Sequence, residues 1–196
     1  MKEFELTVPK IHCVKKNDWF NKDKVYFVCI IIVSKPNANT EPRIAFTGIS
    51  PVSKKIKKGE MIELDLGKKW DFTIESDEVY NVSFGLYEYD KGDVYDAYSK
   101  EIKEIIKSGK IEWLEIIKKE WDQVKQKFPN ISIDDLIMVL PHFGLEIFKE
   151  LRKDDLLGKR DVSYEYDEDT YRFNPEFDLK EANHHYKIQL NFNLAN

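Results

Sequence analysis

The stretch Val79-Tyr-Asn-Val-Ser-Phe-Gly-Leu-Tyr-Glu-Tyr-Asp90 decides the fold. Val82, Phe84 and Leu86 alternate with Asn81, Ser83 and Gly85, the period of two that a β-strand shows, and the run ends on two carboxylates, Glu88 and Asp90. Far downstream, Asp154-Asp-Leu-Leu-Gly158 is a paired-acid turn that reads as the return of the same chain. The two stretches together imply one β-sandwich whose chain is interrupted between them.

The interruption has a different period. Leu114, Ile117, Trp121, Val124 and Phe128 recur three and four apart, which is one face of an amphipathic helix, and lysines and glutamates fill the other face. Residues 97–107 read as a shorter helix that stops near Gly109. Ser132-Ile-Asp-Asp135 is similar to a capping box and opens a third, which Pro141 breaks or kinks before residues 142–151 add another turn or two. Residues 91–153 are therefore expected to be a helical insertion. Trp113, Trp121 and Phe143 read as packing between that insertion and the sheet, in preference to a ligand pocket.

Upstream, Phe4-Glu-Leu-Thr-Val8 alternates as a strand and Ile11-His-Cys-Val14 continues it after Pro9. Residues 15–24 are polar and turn-rich. Val25-Tyr-Phe-Val-Cys-Ile-Ile-Ile-Val33 is apolar on both faces, so it belongs in the middle of a sheet covered on both sides. Further strands are expected at 43–49, at 70–74 and as two short runs around a hairpin turn at Lys58-Gly59-Glu60. After Gly158 the β pattern returns at 161–166, residues 167–183 read as an acidic, aromatic loop, and Tyr186 to Leu194 alternate cleanly to seal the core. Short strands at this spacing define a sandwich, and the α/β alternation of a nucleotide-binding fold is absent.

Composition narrows the role. A chain of 196 residues with 42% hydrophobic and 34% charged residues fits one large domain or one with an elaborated insertion. Its formal net charge of -5 argues against nucleic acid as a partner, because phosphate neutralisation needs a basic face. The densest basic stretch, Lys54-Lys-Ile-Lys-Lys58 with Lys68-Lys69, reads as a solvated hairpin edge protected from aggregation. The N-terminus shows no leader and no apolar run is long enough for a membrane helix, so a cytoplasmic location is expected, leaderless export apart. Cys13 and Cys29 are expected as buried thiols in strands.

No hydrolytic nucleophile motif and no phosphate-cradling glycine loop occur. His184-His185 do not suggest a metal, since neighbours on a strand point to opposite faces. The acidic loops are better candidates. Calcium takes about six to eight oxygen ligands, and loops at one end of a sandwich converge. Asp18 and Asp23 precede the second strand, Glu88 and Asp90 end the strand quoted above, and Asp154 and Asp155 stand at the return.

Asp23-Lys-Val-Tyr-Phe-Val28, Glu88-Tyr-Asp90 and Asp154-Asp-Leu-Leu-Gly158, taken in order, resemble three motifs of the C2 domain family, calcium-dependent membrane-targeting β-sandwiches. The resemblance implies an antiparallel eight-stranded C2-like sandwich made of 1–90 and 154–196, with the helical insertion in its third loop. It also implies calcium held by Asp23, Glu88, Asp90 and Asp155, with Asp18 or Asn17 supplying the first loop's ligand. Two features depart from the family: Glu88 stands where an aspartate is usual, and residues 91–153 fill a loop of normally a few residues. Three functions follow as expectations. The first is a calcium-binding module docking on anionic phospholipid or a protein partner. The second is a metal-free interaction or structural protein working through its insertion, and the third, ranked last, an enzyme using the acids.

Overall fold

The computed structural model describes residues 2–16, 23–35, 41–75, 78–89, 100, 119, 121–123, 126, 156–165, 172–181 and 183–194. The apolar run of the second strand, β2 (Val25–Ser34), is buried at all ten of its residues. It lies between β3 (Arg43–Ile49) and β6 (Val79–Glu88), and β7 (Leu156–Glu165) completes an antiparallel sheet in the order β3-β2-β6-β7. Val25, Phe27, Cys29, Ile31 and Val33 face the inter-sheet core, while Tyr26, Val28, Ile30 and Ile32 are buried on the opposite side. A strand covered on both faces has no use for polar alternation, which explains the continuous apolar run.

The other sheet is built on two long strands, β1 (Lys2–Lys15) and β10 (His184–Leu194), paired antiparallel from Phe4↔Leu194 to Lys15↔His185. The outer edge of β1 is shared by β5 (Trp70–Ile74) along its first half and β4 (Met61–Leu64) along its second. The outer edge of β10 is shared in the same way by β8 (Arg172–Phe173) and β9 (Glu176–Glu181). Among the described residues ten strands thus occupy eight lanes: β4 with β5, β1, β10 and β8 with β9 in one sheet, and β3, β2, β6 and β7 in the other. The expected eight-stranded antiparallel sandwich is the fold found. Pro9 carries no N–H to donate, and the register of β1 slips beside it against both β10 and β4.

The core between the sheets is aromatic. Trp70 packs on Phe27 at 5.9 Å and on Phe46 at 5.1 Å between ring centroids, and Phe84 meets Phe177 at 5.1 Å. Such contacts add about 0.5–1.5 kcal/mol each beyond area burial. Cys13 and Cys29 are free, buried thiols.

Three expectations differ from the structure, the first being that β7 begins at Leu156, inside the stretch read as a turn, and not at 161. Residues 54–57 do not form a strand; the pairing there shrinks to one bridge, Asp23↔Ile56, before the turn at Gly59 and β4. Residues 176–181 form β9 where a loop was expected: Phe177 packs against the core and Leu179 is buried, alternating with the acids that dominate its composition. The insertion expected over 91–153 lies outside the described residues except at 100, 119, 121–123 and 126, which are helical, with Trp121 buried. β6 and β7, which flank that segment in sequence, pair directly from Tyr87↔Leu156 to Val79↔Glu165.

Gly158 marks where the sheets close on each other. Its φ is 152°, and a Cβ there would stand 2.7 Å from Leu179 Cβ and 3.1 Å from Leu179 backbone on β9. Gly59 also has positive φ, 82°, but open space around it. Replacing Gly59 by alanine should cost about 1 kcal/mol from the backbone alone. Gly158→Ala adds overpacking and should cost about 2–4 kcal/mol, read as a lower urea midpoint at unchanged slope. Equal costs at the two sites would contradict the close approach of β7 to β9.

Candidate functional site

One end of the sandwich gathers the end of β1, the start of β2, the end of β6 and the start of β10. Of the expected metal-binding acids, Asp23 and Glu88 are described, and both lie at this end. Glu88 is half-buried, stands opposite Val25, and is followed by Tyr89, whose N–H donates to the Lys24 carbonyl at 2.7 Å. Asp18, Asp90 and Asp155, and Asn17, lie outside the described residues.

Asp23 is engaged on all sides. Its side chain is 4% exposed; Lys16 Nζ donates to Oδ1 at 2.6 Å and the Tyr186 hydroxyl donates to Oδ2 at 2.5 Å. Its backbone N–H donates to the Ile56 carbonyl at 3.1 Å, and its carbonyl accepts from Ile56 N–H at 2.7 Å. Lys16 is itself buried, with 2% of its side chain exposed. A buried charge pair is tolerated only when geometry and added hydrogen bonds offset desolvation, and here the tyrosine supplies the added bond. The Tyr186 hydroxyl pKa is pushed far up, first by burial and then by its bond to Asp23; burial also raises the Cys13 thiol beside it.

The chain between β3 and β4 is clamped onto this end by its sequence. Ser50 and Ser53 extend the pairing past β3: their hydroxyls accept from Phe27 N–H and Val25 N–H, each at 2.9 Å, and their own N–H groups donate back to Phe27 and Val25 carbonyls. Ile56 is fully buried and anchors the middle of the run. Lys57 and Glu60 then close the turn, Lys57 N–H donating to Glu60 Oε2 at 2.9 Å and Glu60 N–H to the Lys57 carbonyl at 3.0 Å. With Ile56 held inward, Lys54, Lys55, Lys57 and Lys58 are all exposed, and Lys15 is exposed beside them. Met61, at the start of β4, is 58% exposed.

The described part of the donor set does not fit calcium. An ammonium already stands 2.6 Å from the Asp23 oxygen that a cation would use, and a hydroxyl donates to the other. Among the described residues no group of three or more His, Cys, Asp or Glu side chains gathers as a metal site would. His185 instead pairs through Nε2 with Asp178 Oδ1 at 2.5 Å and holds that carboxyl below its ordinary pKa. Lys16, Tyr186, Ser50 and Ser53 were not singled out by the sequence. The signal that could have found them is a lysine and an aspartate bracketing one polar stretch of sequence, and serines directly after a strand.

No protein-family model matches the chain, and no curated protein matches it. Among solved structures it is similar to a C2 domain of plant Extended Synaptotagmin 1, at 8% identity and a TM-score of 0.40, covering 100% of this chain and 96% of that one. It is also similar to CC2D1B, at 13% identity and a TM-score of 0.41, covering 98% of this chain and 55% of that chain. Likenesses at these identities and scores assign no function, and the sandwich rests on its own two sheets.

Burial raises the tyrosine pKa values on this framework: Tyr80 is pushed up to about 12, and Tyr164 and Tyr186 further. In the unfolded chain they titrate near the ordinary value of about 10. Their contribution is therefore complete below pH 10 and lost as pH rises towards their folded values, so stability should fall steadily above pH 10. Tyr186→Phe should lower stability at pH 7 by about 1–3 kcal/mol, because Asp23 Oδ2 loses its donor, and should flatten the alkaline loss in urea titrations run at stepped pH. An unchanged midpoint at pH 7 would contradict the bond.

Proposed function

We propose that this chain is a non-catalytic binding module that docks on anionic phospholipid surfaces through the lysine-bearing end of the sandwich. The observation that carries this is the platform of Lys54, Lys55, Lys57 and Lys58, held outward by the buried Ile56 and by the serine clamps on β2. Lysines are point charges on long arms, which suit a diffuse anionic surface better than a single bidentate phosphate. Met61 places an exposed apolar side chain beside the same turn, and apolar contact together with basic charge is what interfacial binding uses. Because the whole chain carries -5, the platform is where an anionic surface is attracted and the remainder is repelled, which fixes orientation.

Calcium, expected from the acids, is no part of this reading: the lysines supply the positive charge. Among the described residues no helix is long and apolar enough to cross a membrane. The test is vesicle co-sedimentation in chelator, with phosphatidylcholine vesicles alone and with added phosphatidylserine. Each lysine near an anionic bilayer is worth about 1 kcal/mol. Replacing the four platform lysines by glutamine should therefore weaken binding to the anionic vesicles by on the order of 100-fold or more, with the unfolding midpoint unchanged. Binding that survives the replacements, or that requires calcium, would contradict the proposal.

A further inference from the structure

We infer that Lys16 is a built-in counter-cation that takes the place of a divalent ion at Asp23, so that this end of the sandwich is assembled without metal. Lys16 and Asp23 stand on either side of residues 17–22, and their side chains meet at 2.6 Å with 2% and 4% of their surfaces exposed. One ammonium and one carboxylate sum to zero charge. A calcium ion at Asp23 Oδ1 would add two positive charges beside the buried ammonium, and among the described residues no cluster of acids gathers there to neutralise them while Lys16 stays in place.

The position also accounts for what a metal does structurally in acidic loops, which is to tie separate segments together. Asp23 begins the lane of β2 in one sheet. Lys16 follows β1 and Tyr186 lies in β10, both in the other sheet, and both bind its carboxylate. Through its backbone Asp23 also holds Ile56, the anchor of the lysine turn. Two segments thus converge on one carboxylate while a third pairs with its backbone, and Lys16 supplies the charge that lets the carboxylate remain buried. The Cys13 thiol lies on the same group, beside Tyr186.

The inference stands apart from membrane docking: the platform lysines can bind vesicles or fail to, whatever neutralises Asp23. Its test is thermal unfolding of the full chain in chelator and in millimolar calcium chloride, with the variants Lys16→Met, Asp23→Asn and the two combined. The wild type should melt at the same temperature in both buffers. Lys16→Met leaves a buried carboxylate unmatched and should lower the melting temperature by on the order of 10 °C, and adding Asp23→Asn should recover most of that loss. A wild-type melting temperature that rises by several degrees in calcium, with the rise abolished by Asp23→Asn, would overturn the inference. So would a Lys16→Met protein that melts with the wild type. If Lys16→Met does not fold, recovery of a folded protein in the double variant supports the assignment, and the wild-type comparison between calcium and chelator still decides against it.

Discussion

A carboxylate removed from water must be matched by positive charge and by hydrogen-bond donors, or it destabilises whatever buried it. Asp23 obtains both from within the chain. Lys16 gives the charge, Tyr186 a second donor, and the backbone of Ile56 a pair of hydrogen bonds. The requirement is demanding because the carboxylate's two partners, Lys16 and Tyr186, come from distant places in the sequence, and once met it ties the two sheets together and, through the Asp23 backbone, holds the lysine turn. The lysines of that turn are outward because Ile56 is inward, and Ile56 is inward because its backbone pairs with Asp23.

Among the described residues this end carries more exposed lysine than acid. Acidic loops there would be the setting for a hard cation, with oxygen ligands outnumbering other partners. Among the described residues the exposed side chains at this end are instead dominated by Lys15, Lys54, Lys55, Lys57 and Lys58, and the one acid at its centre is buried and neutralised. The proposed docking on an anionic surface draws on these lysines. The opposite end is secured by another buried acid, Glu78, which Arg43 binds at 2.9 Å and which accepts from Glu75 N–H at 2.8 Å, so each end of the stack of lanes is closed by a carboxylate with its own cation.

The parts of the fold legible in the sequence were those written in side-chain period. The apolar run of β2 and the alternation of β6 and β10 point to the sandwich, because a strand's burial pattern follows directly from which faces are covered. β9 was obscured because its acids outweighed the alternation of Phe177 and Leu179, and residues 54–57 looked like a strand although a single backbone bridge, Asp23↔Ile56, is all the pairing they make. The site was less legible for a physical reason. An acid's sequence neighbours do not reveal whether it is solvated, metal-bound or paired: Asp23 meets Lys16 from seven residues away and Tyr186 from 163 residues away. Glu88 lies at the same end as Asp23, while Asp18, Asp90 and Asp155 lie outside the described residues.

The most direct measurement is nuclear magnetic resonance of the lysine side chains in uniformly 15N-labelled protein at neutral pH. Exposed ammonium groups exchange their protons with water too quickly to be seen, whereas one that is buried and ion-paired is shielded. The structure predicts a persistent ammonium signal that is lost in Lys16→Met and unchanged when calcium is added. The absence of any Lys16 signal, or its disappearance on calcium addition, would contradict a carboxylate neutralised by this chain's own lysine.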